Sequence, residues 1–96
     1  MRRRMGRPCK HRKIKFDPKV NYFKPRGVPV SSLDVVELKK EELEAVRLKN
    51  LKNLDQKECA EKMNTSAATL QRILSSAYQK IAEALVEGKA IKIINE

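Results

Sequence analysis

The sequence predicts a mainly α fold: a three-helix helix-turn-helix domain behind a basic, extended N-terminal arm, with short terminal strands. Three observations predict it. All four prolines fall within residues 1–30, which leaves 31–88 free of the residue that most disrupts helices. Apolar residues across the later segment recur at three- and four-residue spacings. Charge is also segregated: residues 1–30 hold eleven Lys and Arg against the single acid Asp17, while residues 31–96 hold eleven of each sign. The whole net charge of +10 therefore belongs to the first third. The expected division is an arm over 1–30 and a helix-turn-helix domain with a C-terminal strand over 31–96.

The arm excludes long helices, because Pro8, Pro18, Pro25 and Pro29 interrupt it. Short strands are expected at KIKF (13–16), where Ile14 and Phe16 alternate with lysines, and at VPV (28–30). A first amphipathic helix is expected near 40–51, with Leu43, Val46 and Leu51 on its apolar stripe and Leu48 on the flank. Asp55 followed by Glu58 has capping-box spacing and opens a short second helix running to about Met63. Asn64 tolerates the left-handed region and suits a tight turn, and Ser66 is a good N-cap for a third helix. That helix carries Leu70, Ile73, Leu74, Ala77, Ile81 and Leu85 as one stripe, and Gly88 sits where a glycine would stop it. Ile91, Lys92 and Ile93 then alternate as a half-buried strand, whose partner is VVEL (35–38), KIKF or its own copy in a second subunit.

The short helix, tight turn and longer helix meet the demands of a helix-turn-helix. Ala60 is small where the two helices pass closest, Asn64 makes the turn, and Leu70 and Ile73 face inward with Cys59 and Met63. The outward positions Ser66, Ala67, Ala68, Thr69, Gln71, Arg72 and Ser75 are then the candidate DNA base contacts. Gln pairs with adenine, Arg with guanine, and small methyl groups meet the thymine methyl. In the arm, Arg2, Arg3, Arg4, Arg7, Lys10, Arg12 and Lys13 are the candidates for the DNA backbone or the minor groove. Gly6-Arg7-Pro8 is similar to the core of an AT-hook, with Met5 where the hook has arginine. Double-stranded DNA is thus the expected partner, its phosphates met by the arm and its bases by the third helix.

From GRPCKHRKIKFDP through YFKPRGVP and ELEAVRLKNLKNLDQKECAEKMNTSAATLQRILSSAYQKIAEALVEGKAIKI, the chain resembles a family of small prokaryotic proteins catalogued as domain of unknown function 134. The resemblance covers nearly the whole chain, and ALVEGKAIKI is specific to it. It implies a helix-turn-helix similar to region 4 of sigma-70-type factors, and so a transcriptional regulator whose recognition helix begins at Ser66. Ala67 and Ala68 stand where many members have a bulkier or charged pair.

Other classes fit less well. An RNA-binding or ribosome-associated protein would use the same basic tail, but Phe16, Tyr22, Phe23 and Tyr78 are too dispersed to form a stacking platform. Contact with RNA polymerase, as region 4-like domains make, would leave the arm without a purpose. A single His (His11), no paired acids in a plausible pocket and no glycine-rich phosphate loop leave nothing to carry an enzymatic reaction. Cys9 and His11 alone do not make a metal site, Cys59 reads as a buried hydrophobe, and no cofactor is expected. No apolar run approaches the roughly 20 residues that span a bilayer, so a cytoplasmic protein with no membrane partner is expected. The third helix, about 33 Å long at 1.5 Å per residue, outruns a groove. Its second half, with the terminal strand, is expected to pack in a homodimer or against the N-terminal segments.

Overall fold

A computed structural model describes residues 20–95 and is mainly helical, with a short three-stranded sheet. The strands are β1 (Tyr22–Phe23), β2 (Val35–Lys39) and β3 (Ala90–Ile94), in the order β1-β3-β2. The helices are α1 (Lys40–Val46), which continues into one wide π-helical turn (Arg47–Leu51), then α2 (Gln56–Lys62) and α3 (Ala67–Glu87).

β2 has the period-two pattern of a strand with one covered face: Val36 and Leu38 are buried, and Val35, Glu37 and Lys39 are exposed. Of the three partners open to the terminal strand, β2 is one that it takes, and in parallel. Parallel strands need a long crossover, and here the crossover is the whole set of three helices. Glu37 lies beside Lys92 on the solvent side, an opposite-charge cross-strand pair. On its other edge β3 pairs antiparallel with β1, Tyr22 opposite Lys92 and Phe23 opposite Ile91. The sequence gives no hint of β1, so these two aromatic residues of the expected arm belong to the sheet. KIKF lies outside the described residues. VPV forms no strand: Pro29 has no amide to give a ladder, and Val30–Ser32 close a single 3-10 turn through Ser32 N to Pro29 O at 2.9 Å.

Two apolar clusters share α3. Leu70, Ile73 and Leu74 pack with Ala45, Leu48, Cys59, Ala60 and Met63, and farther along Ala77 packs with Leu38 and Ile93 of the sheet. Two expected core residues lie outside both. Leu51 is 76% exposed, because the π turn advances each residue by less than an α turn and rotates this position outward while Leu48 turns in. Leu85 is 75% exposed, since Ala84, one residue nearer the centre of the stripe, takes the buried place.

One carboxylate ties these parts together. Glu42, 4% exposed, accepts from the Lys39 amide at 2.8 Å and Lys80 Nζ at 2.9 Å through Oε1, and from Ser76 Oγ at 2.5 Å through Oε2. It therefore closes the start of α1 onto the end of β2 and pins both to the middle of α3. Burial pushes its pKa up, but the hydrogen bonds from Ser76, the Lys39 amide and Lys80 outweigh that and hold it below the usual carboxylate value. A depressed folded-state pKa contributes stability that is complete above the ordinary value of 4.5 and is lost as pH falls through the folded one. Glu42→Gln is accordingly expected to lower the unfolding free energy at neutral pH by about 2 kcal/mol. In urea titrations its deficit against the parent should shrink progressively as pH falls below 4.5; a deficit that grew with acidification would contradict this role.

Candidate nucleic-acid interface

The turn from α2 into α3 is fixed by local chemistry. Asp55 caps α2 by accepting from the Glu58 amide at 2.8 Å, and Glu58 Oε1 accepts in return from the Asp55 amide at 3.0 Å. α2 ends at Lys62; the amide of its C-cap, Met63, reaches Cys59 O, and Asn64 follows with φ of 58°. The Thr65 amide bonds Ala60 O at 2.9 Å, which returns the chain across the small Ala60. Ser66 then caps α3: its Oγ accepts from the Thr69 amide at 3.1 Å and donates to Thr69 Oγ1 at 3.0 Å. Gln56 Nε2 donates to Ala67 O at 3.3 Å, so the first turn of α2 is also tied to the first turn of α3. Sequence reasoning missed that link, which joins residues eleven positions apart and follows no periodic signal.

Six of the seven expected base-contact residues are exposed: Ser66, Ala67 and Ala68 at the tip, then Gln71, Arg72 and Ser75 along one side. Thr69 is half-buried, and its hydroxyl is engaged by the cap. Gln79 extends the stripe. Between Ser66 and Gln79 the only charged residue is Arg72, and α3 has no acid in its first turn. Helix N-termini usually attract acids because the backbone dipole and unpaired amides favour negative charge there; this one leaves that potential unopposed. The small alanines at the tip let the helix backbone approach a surface closely.

A contact on the same side of α3 helps to hold this surface still. Tyr78, half of it open to solvent, donates its hydroxyl to Asn50 Oδ1 at 2.5 Å and joins the turn after α1 to α3. At the far end Gly88, with φ of 69°, stops the helix, and Lys89 pairs with Glu83 at 2.6 Å and Glu87 at 3.1 Å. Those two partners raise the Lys89 pKa. Cys59 is fully buried against Leu54 O, and burial pushes its thiol up, which fits a packing residue better than a reactive one. Arg2, Arg3, Arg4, Arg7, Lys10, Arg12 and Lys13, together with Cys9 and His11, lie outside the described residues. Among the described residues no cluster of three or more His, Cys, Asp or Glu could hold a metal, and no helix is long and apolar enough to cross a membrane.

The family described as protein of unknown function DUF134 matches residues 1–96. The chain belongs to this family. It is 56% identical over 89 residues to a UPF0251 protein of Thermoanaerobacter pseudethanolicus, a match covering 93% of this chain and 75% of that protein. It is 52% identical to a UPF0251 protein of Desulforudis audaxviator, covering 93% of this chain and 58% of the relative, and 53% identical to one of Clostridium tetani, covering 93% and 60%. The matched stretch is therefore only part of these longer family members. No solved structure matches the chain.

The cap and the turn make their own expectations. Ser66→Ala should cost about 1 kcal/mol by removing the acceptor for the Thr69 amide, and Asn64→Ala about as much by forcing alanine into the left-handed region. Thermal unfolding followed by circular dichroism checks both, and an unchanged midpoint in either variant would refute the corresponding assignment.

Proposed function

We propose that this chain binds double-stranded DNA as a transcriptional regulator, with α2, the turn and α3 acting as a helix-turn-helix similar to region 4 of sigma-70-type factors. The observation that carries this reading is the exposed face of α3 around Arg72, acid-free and rigidly held at its N-terminus. In this reading Gln71, Arg72 and Ser75 meet base edges in the major groove, and Ala67 and Ala68 meet thymine methyls. Arg72 is the natural guanine reader, since its fork matches two acceptors at once. Long-range attraction comes from the basic residues of 1–30, which meet phosphates, while the neutral face supplies selectivity. A dimer would place two such helices about one helical turn apart and lengthen the sequence read.

The described aromatic residues support duplex over single-stranded RNA. Tyr78 is bound to Asn50, and Tyr22 and Phe23, adjacent in β1, face opposite sides of the sheet, so the described residues form no row of rings for stacking unpaired bases.

Arg72→Ala is expected to weaken binding to a preferred duplex by about tenfold, and binding to random duplex much less. Deleting residues 1–13 should weaken both alike and reduce the slope of log affinity against log salt. Fluorescence anisotropy titrations at several salt concentrations measure both effects. A sequence preference that survives Arg72→Ala unaltered would refute the recognition-helix assignment.

A further inference from the structure

Beside the end of α1, and away from the stripe on α3, lies a hollow of about 310 Å³ lined by Arg47, Leu48, Lys52, Leu54 and Lys62. It is built from two leucines and three cations, and no acid lines it. Its wall is structured by the π turn: the Lys52 amide bonds Arg47 O at 3.0 Å, the Leu54 amide bonds Leu48 O at 3.2 Å, and Asn53 between them has φ of 57°. Arg47 is aimed by the buried Glu44, to whose two carboxylate oxygens it donates at 2.8 and 3.0 Å. Lys52 and Lys62 form no ion pair among the described residues.

Cations gathered around one concavity repel each other, and an anion relieves that repulsion. Lys62 in the last turn of α2 and Lys52 at the C-cap of the π turn both suit helix C-terminal carbonyls, but neither has a carboxylate partner among the described residues, whereas Arg47 has Glu44. The apolar wall adds a second requirement. A phosphodiester backbone is met by cations along a ridge and has no use for leucines, whereas a small organic molecule has a body to place on them. The volume, at the lower end of the range for ligand pockets, suits a molecule of one or two rings.

We propose that this hollow binds a small organic oxyanion, a carboxylate, sulfonate or phosphate on an apolar body, with the anion between Lys52 and Lys62 and the body against Leu48 and Leu54. The site stands apart from the DNA-binding reading and does not depend on it. Its position gives it leverage: Lys62 is the last residue of α2, and the turn that sets the start of α3 follows at once. An occupant braces the Arg47–Leu54 segment against that turn.

The full chain, free of nucleic acid, is titrated with 8-anilinonaphthalene-1-sulfonate and, in parallel, with the uncharged N-phenyl-1-naphthylamine. In the Lys52→Gln/Lys62→Gln double variant the sulfonate should bind about tenfold more weakly, as two charge-assisted contacts are lost. The neutral dye should change by less than about twofold, because the leucines remain. Leu85→Gln, which alters the apolar groove beside Phe23 and Ile91, should leave both dyes unaffected. Unchanged sulfonate affinity in the double variant, an equal loss of both dyes, or a loss in Leu85→Gln instead would each overturn the proposal. So would a fall in duplex affinity as large as that for the sulfonate, which would assign the lysines to a nucleic-acid backbone. Failure of the chain to bind duplex at all would leave the dye results to stand by themselves.

Discussion

A carboxylate taken out of water costs several kcal/mol unless its lone pairs are filled, and Glu42 is such a carboxylate. Three donors from two elements fill it: the last amide of β2, and a hydroxyl and an ammonium on successive turns of α3. Because an unfilled lone pair would be so unfavourable, the three donors must converge, and their convergence sets where α3 lies relative to the sheet. The apolar contacts of Leu38, Ala77 and Ile93 pack α3 on the sheet, but hydrophobic contact has little directional preference. Glu42 supplies the direction. With the middle of α3 held there, its first turns project past the sheet and are positioned by Ser66 and Gln56.

That arrangement explains why the presented surface can be nearly neutral. A helix that must also attract its partner over a distance needs charge, and charge on a binding face obscures the hydrogen-bond pattern that distinguishes one sequence from another. Here the +10 lies in residues 1–30 and the domain behind it is balanced. In the proposed function, attraction and selection are thus separated along the chain. The α2–α3 turn fixes the exposed face of α3 through short-range bonds that suit a small domain with a limited core.

Much of this was legible in the sequence because it is local. Asp55 and Glu58, Asn64, Ser66 and Gly88 each act on residues within a few positions, and each occurs in the conformation its type favours. The coupling of β3 to β2 was legible only as one of three options, since a strand pattern states which face is covered and says nothing about the partner. β1 was not legible at all: two residues cannot display a period, and Tyr22–Phe23 become a strand only because β3 offers an open edge. Leu51 and Leu85 failed for a related reason. A stripe counted at 100° per residue assumes an unbroken α-helix with a wide buried arc, but the π turn breaks α1 and the arc narrows at the end of α3. Glu42 reads in sequence as one more solvated acid in a charged run, and its partners lie 34 and 38 residues away.

Selecting bound duplexes from a random DNA pool, at about 150 mM salt to screen nonspecific phosphate attraction, asks directly whether the neutral face of α3 reads sequence. Repeated selections should converge on one motif, with two-fold symmetry if two copies bind together. No enrichment over the starting pool, with RNA displacing the DNA, would contradict the reading and leave the chain a binder of nucleic acid through its charge alone.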